Sequence, residues 1–240
     1  MSLLAGLATS IGGLLVILMG KVSRSILNFI IGVVAGMMLA ISFMSLVFKA
    51  MELAGLSLTA AGFALGSIML LVIDFLVPHI HLTGLAENMP ISDRYVRKGV
   101  VTSLGIGLHN IPEGIAVASS FSIDPKLGAL VALVIGAHNI PEGVVTAIPL
   151  RQGGLSNLKT FFITLLSGLT EPAAAAATLL LLQEVSHTTL AISSAFAAGA
   201  MVYITIDELI PEAYAHGQGH SAILGLTMGV LVALFLMSLL

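Results

Sequence analysis

Cysteine is absent from the 240 residues, so any metal site in this chain would be built from nitrogen and oxygen donors, with methionine sulfur as the soft alternative. Charge is scarce as well. Only 9% of the residues are charged and 58% are hydrophobic, and the mean hydropathy is +1.10, which no water-soluble domain of this size needs. The chain therefore reads as an all-α polytopic membrane protein. No nucleic-acid patch, heptad run or cleavable signal peptide is visible, and a net charge of -3 says little about partners.

Apolar segments of spanning length fall at roughly 3–20, 26–48, 59–82, 98–121, 127–149, 159–182, 188–214 and 221–240, which predicts about eight helices in a single transmembrane domain over residues 1–240. The breaks between them are short. The longest, from about Thr83 to Lys98, leaves no room for a separate soluble domain. With the N-terminus outside, the inner loops carry Lys21, Arg24, Arg94, Arg97, Lys98, Arg151 and Lys159, against Lys49 and Lys126 outside. This positive-inside bias predicts extracytoplasmic termini in a cell membrane. Small residues at contact spacing, Gly32 with Gly36, Gly62 with Gly66 and Gly225 with Gly229, predict close helix packing.

Against this background one hexapeptide stands out, His-Asn-Ile-Pro-Glu-Gly, at His109–Gly114 and again, letter for letter, at His138–Gly143. Residues four apart share a helix face, so His109 with Glu113 and His138 with Glu142 each present an imidazole beside a carboxylate. Asn110 and Asn139 add an amide oxygen on the neighbouring strip. Pro112 and Pro141 cannot donate to the carbonyls of Leu108 and Ala137, which leaves backbone oxygens as further candidate donors. The midpoint of the two copies falls at Lys126, in the polar break Asp124-Pro125-Lys126. If that break is a hairpin tip, both motifs lie about 21 Å below it, at about 1.5 Å per residue, and meet at the same depth.

None of the nine Lys and Arg residues falls near the centre of a span, whereas Asp74, Glu113, Glu142, Glu171, Asp207, Glu208 and Glu212 lie within or near the ends of spans. A carboxylate at a helix centre costs on the order of 2.5–3.5 kcal/mol unless protonated or bound to a cation. A divalent metal or a proton is the natural partner. Glu171, in Ser167-Gly-Leu-Thr-Glu-Pro172, repeats the Glu-Pro pairing in the sixth span, with the carbonyl of Gly168 freed. Asp74, His79 and His81 near one end of the third span, and Asp207, Glu208, Glu212 and His216 near that of the seventh, form a candidate cytoplasmic exit path.

The paired motifs in neighbouring spans, with Ser-Gly-Leu-Thr-Glu-Pro next, resemble the ZIP (Zrt-, Irt-like protein) family of divalent metal transporters, of bacterial type. The resemblance implies eight spans with both termini outside, arranged three, two, three with inverted repeats, and an elevator-like movement against a scaffold. It also implies a binuclear site: His109, Asn110 and Glu113 from the fourth span, His138, Asn139 and Glu142 from the fifth, and Glu171 from the sixth. Asp74, His79, His81, Asp207 and Glu208 match the family's inward release route, and Met38 is the candidate for a methionine ligand found in some relatives. The chain departs from many members in lacking a histidine-rich loop between the third and fourth spans.

The expected function is uptake of a divalent transition metal, Zn²⁺ first, with Fe²⁺, Mn²⁺, Co²⁺ and Cd²⁺ also suited to imidazole and carboxylate. Acids that lose protons on metal binding would make uptake pH-dependent. The expected partners are metal ions and the lipid bilayer, with a homodimer allowed and nucleic acid excluded. An intramembrane metal-dependent hydrolase is the rival from another class, and it lacks the His-Glu-x-x-His helix of such enzymes. A plain proton or cation channel is the third reading.

Overall fold

An apolar chain out of reach of water must satisfy its own backbone N–H and C=O groups, and this one does so with helices. The computed structural model describes residues 1–19, 23–76, 90–181, 186–215 and 219–238. Among these no strand occurs. The helices are α1 (Ser2–Met19), α2 (Arg24–Ile41), α3 (Phe48–Leu76), α4 (Ile91–Ile123), α5 (Pro125–Gln152), α6 (Asn157–Leu181), α7 (His187–Ile204), α8 (Ile210–Tyr214) and α9 (Gly219–Ser238). Two π-helical segments, Ser42–Val47 and Thr205–Leu209, join α2 to α3 and α7 to α8 without a break in the helix. Among the described residues six stretches are long and apolar enough to cross a membrane: Ser2–Met19, Arg24–Val72, Pro125–Gln152, Asn157–Leu181, His187–Tyr214 and His220–Ser238.

The stretch Arg24–Val72 has 49 residues, about 74 Å of helix against a hydrocarbon core of about 30 Å. It turns at Gly55, whose φ of 74° and ψ of 170° lie where only glycine sits without strain. The direction of travel reverses there. Met38 touches Thr205 and Ala50 clusters with Ala191, so the first limb runs antiparallel to α7; Gly66 meets Phe196 and Leu70 meets Ile204, so the second runs parallel to it. The break expected around residues 49–58 thus contracts to a single glycine.

A second boundary also moves. α4 begins at Ile91 rather than near residue 98, so Arg94, Arg97 and Lys98 are helical rather than looped. Its 33 residues measure about 50 Å, and the charged first turns extend past any hydrocarbon core. The expected tip between the fourth and fifth spans is one residue long. Asp124 ends α4 and caps α5, its carboxylate accepting from the N–H groups of Lys126 at 2.7 Å and Leu127 at 2.9 Å, while Pro125 opens the helix.

The helices sort into two bundles, α1 with α4, α5 and α6, and α2 with α3, α7 and α9, joined where α4 meets α7 and α2 meets α5. Met38, Ile41, Val131, Ile135 and Met201 fill the core along that seam. The small residues singled out in the sequence lie at helix contacts: Gly32 and Gly36 abut the α9 backbone at Ala222 and Leu226, Gly225 and Gly229 abut Phe29 and Val33, and Gly62 and Gly66 abut Ile192 and Phe196 of α7.

Candidate metal centre

The α4–α5 hairpin brings the two hexapeptides face to face, as the midpoint reading requires. Asn110, Glu113, His138, Asn139 and Glu171 are fully buried, with His109 3% and Glu142 2% exposed, so the site is walled by neighbouring helices. His109, Glu113 and Glu142 form the core, each with one ligand atom within 4.8 Å of the others. His109 Nε2 lies 3.3 Å from Glu142 Oε1 and 3.6 Å from Glu113 Oε1. Two donors bound to one tetrahedral Zn²⁺ at about 2.0–2.1 Å stand roughly 3.3 Å apart, so these separations suit a shared ion.

His138 is held differently. Its Nε2 lies 2.7 Å from Glu113 Oε1, a hydrogen-bond length, and 4.0 Å from Glu142 Oε1. Identical motifs thus set their two imidazoles in different contacts. Met38, the candidate methionine ligand, lies beside the core, with Sδ 3.2 Å from His109 Nε2. The α2 helix of the other bundle thereby reaches the site.

The asparagines turn to a second locus. Asn110 Nδ2 donates to the Ser167 carbonyl at 2.8 Å, and Asn139 Nδ2 donates to Glu171 Oε2 at 2.8 Å and to the Ala5 carbonyl at 2.9 Å. Both amide oxygens are buried and accept no hydrogen bond. Glu113 Oε2 and both oxygens of Glu142 are in the same condition, Oε1 of Glu142 lying near His109 without hydrogen-bond geometry. A buried acceptor left unmatched costs about 1–3 kcal/mol. Five such atoms on the two facing hexapeptides form a donor set suited to cations.

The glycine that closes each hexapeptide has a packing duty. A Cβ on Gly114 would stand 2.3 Å from the Glu171 carbonyl of α6, and one on Gly143 would stand 1.8 Å from the Thr9 carbonyl of α1. The carbonyl of Gly168, freed by Pro172, abuts Gly6 of α1 in the same way. Close approach of backbones lets the Glu171 carboxylate meet Asn139.

A ZIP zinc transporter family model matches residues 83–237. The chain is also 40% identical to the zinc transporter ZupT of Akkermansia muciniphila over 95% of its own length and 92% of that protein's. The chain belongs to the ZIP zinc transporter family. Against ZupT proteins of Chlorobaculum parvum and Corynebacterium glutamicum the identity is 39%, over 97% of the chain and 93% and 94% of theirs. Membership in ZIP makes the chain a transporter rather than an enzyme, and the metal-dependent hydrolase weighed above is set aside.

Around this ZIP centre the remaining expected residues scatter. Glu208, in the second π-helical segment, has Oε2 3.9 Å from where a Cβ on Gly105 would stand, one helical turn from His109. Asp207 beside it is exposed. Glu212 of α8 reaches Lys98 of α4 at 3.2 Å, an ion pair between the two bundles. His79, His81 and His216 lie outside the described residues, as does the side chain of Asp74. The sequence reading missed Ser2, whose hydroxyl donates to Glu171 Oε1 at 2.8 Å, and Thr205, whose hydroxyl approaches Met38 Sδ at 3.7 Å. For Ser2 the signal was slight, since it is one of three hydroxyls, with Thr9 and Ser10, in an otherwise apolar first helix. For Thr205 there was none.

Proposed function

We propose that this ZIP transporter carries Zn²⁺ toward the cytoplasm through a binuclear site on α4, α5 and α6, within a single transmembrane domain. The observation that carries the reading is the convergence of three buried carboxylates, Glu113, Glu142 and Glu171, with which no Lys or Arg pairs among the described residues. Their counter-charge is the cargo. One ion takes His109, Glu113, Glu142 and Met38, with His138 beside it; the second takes the Asn110 and Asn139 amide oxygens and Glu171, with Glu113 and Glu142 bridging. Three carboxylates against two divalent ions leave about one positive charge, which amide and carbonyl oxygens can solvate. Glu208, then Glu212 with Lys98, continue the path inward past Asp207.

Eight crossings arise when Gly55 divides Arg24–Val72 into two and α4, polar at its centre because it carries the site, is counted as a span. The three, two, three arrangement draws support from the helix contacts. Exchanging α1 with α6, α2 with α7, α3 with α9 and α4 with α5 turns the contact α1–α5 into α6–α4 and α2–α9 into α7–α3, each of which is present. The exchange also carries one π-helical segment onto the other. Extracytoplasmic termini follow from the positive-inside bias, and Lys49 lies close enough to Asp124 to act on its carboxyl, which favours one shared end for Lys49 and Lys126.

Uptake into proteoliposomes, with Fe²⁺, Mn²⁺, Co²⁺ and Cd²⁺ as competitors, tests the function. Saturable Zn²⁺ uptake is expected. A fast, unsaturable conductance would replace the carrier with a channel. Single cysteines at positions 125 and 92 should label from opposite sides, position 125 from outside; the natural absence of cysteine keeps the background clean.

A further inference from the structure

α1 is the least polar part of the metal-bearing bundle, yet it makes the most specific contacts with the second locus. Ser2 Oγ donates to Glu171 Oε1 at 2.8 Å, while Glu171 Oε2 accepts from Asn139 Nδ2 at 2.8 Å. That amide also donates to the Ala5 carbonyl at 2.9 Å. One oxygen of the acid and the amide nitrogen are thus held by α1, the acid's other oxygen accepts from that amide, and the Asn139 amide oxygen accepts no hydrogen bond. The register of α1 leaves little slack. Gly6 and Gly168 lie backbone against backbone, Gly12 lies on Ile140 and Gly143, and Gly13 lies on Thr164. A slip by one residue would drive a side chain into the Gly6 contact and into one of the other two, and carry the hydroxyl away from Glu171.

We infer that Ser2 is a positioning residue for the second ion: its hydroxyl fixes the Glu171 carboxylate so that a lone pair on each oxygen points at the cation held by the asparagine amides. The inference rests on the binuclear reading above. A carboxylate oxygen has two lone-pair sites, so Oε1 accepts from Ser2 and still ligates. Outer partners that orient a ligand in this way are typically worth 10–100-fold in metal affinity. No such hydroxyl contacts His109, Glu113 or Glu142 through α1, so the effect is confined to one ion.

The test is calorimetric titration of the purified full-length protein with Zn²⁺, comparing the wild type with Ser2→Ala, Ser2→Thr and Ser10→Ala. Ser10 is a control, since its hydroxyl bonds to Leu7 of its own helix. Ser2→Ala should weaken the second binding step 10–100-fold and leave the first unchanged. Ser2→Thr, which keeps the hydroxyl, should restore the second step, and Ser10→Ala should match the wild type. Equal weakening of both steps in Ser2→Ala, or no change in either, would overturn the positioning role while leaving two ions in the wild type. A wild type that never binds more than one ion would instead overturn the binuclear reading itself.

Discussion

The hexapeptide at His109 and its repeat at His138 share every letter, yet corresponding side chains meet different partners outside the hairpin. The first copy turns its imidazole toward Met38 of α2, its amide toward the Ser167 carbonyl and its glycine onto the Glu171 backbone. The second sets its imidazole against Glu113, its amide between Glu171 and Ala5, and its glycine against Thr9 of α1. Identical local chemistry supplies two donor strips. What surrounds each strip decides which donor ligates, which orients and which bundle it answers to.

The test with the largest expected effect removes what the two copies share. Glu113→Ala and Glu142→Ala should each lower Zn²⁺ uptake into proteoliposomes by at least about 100-fold, with the protein still in the membrane, because each deletes an acid proposed to bridge the two ions. Uptake near wild type in either variant would take that glutamate out of the centre. The imidazoles should then separate the copies. His109→Ala, which loses a ligand and the Met38 contact, should cost on the order of 100-fold in metal affinity, and His138→Ala nearer 10-fold. Equal losses would mean that the 2.7 Å contact of His138 with Glu113 gives way to coordination when metal binds.

The terminal glycines sharpen the comparison in stability rather than transport. Alanine at either position overfills a backbone contact, which usually costs about 1–3 kcal/mol. Gly143→Ala should melt lower than Gly114→Ala in detergent, since its Cβ would stand 1.8 Å from a carbonyl rather than 2.3 Å. The asparagines, despite their different partners, are proposed to hold one ion together. The Asn110→Ala, Asn139→Ala double variant should fall from two bound ions per chain toward one, as read by metal analysis of the purified protein.

The smallest effect belongs to Asp124, the residue between the copies. The Leu127 N–H, first among its partners, and then that of Lys126 hold its carboxyl below the ordinary aspartate range, and the Lys49 and Lys126 charges act in the same direction. A depressed folded-state value means that the cap contributes fully above the unfolded value and is lost as pH falls through the folded one. The melting temperature of the wild type should therefore drop slightly through that acidic window, relative to Asp124→Asn, whose cap does not titrate. Parallel curves for the two would detach the cap from hairpin stability.

Much of this arrangement was legible because helix geometry is a local property. A four-residue spacing commits His109 and Glu113 to one face wherever α4 ends up, and Asp124 followed by Pro125 is a helix stop and start on any apolar hairpin. Gly55 was less legible. A lone glycine in an apolar run signals close packing as readily as a reversal, and only its φ separates the two. The start of α4 was misjudged because Arg94, Arg97 and Lys98 look like a loop when polarity is equated with the absence of helix. A helix that outruns the bilayer carries charge on its outer turns without breaking.

The sequence by itself determined that the chain lies in a membrane, that its acids need a cation, and that two identical donor strips face each other across a hairpin, because composition and short-range periodicity suffice for each. The tertiary structure alone decided that Met38 packs against His109 rather than His138, that Ser2 reaches Glu171 across 169 positions of chain, and that the two imidazoles differ in their nearest partners. Those outcomes depend on how closely helices approach at Gly6, Gly114 and Gly143 and on which face of α2 turns inward. Contacts between residues far apart in the chain are set by the packing of whole helices, and no spacing within either hexapeptide encodes that.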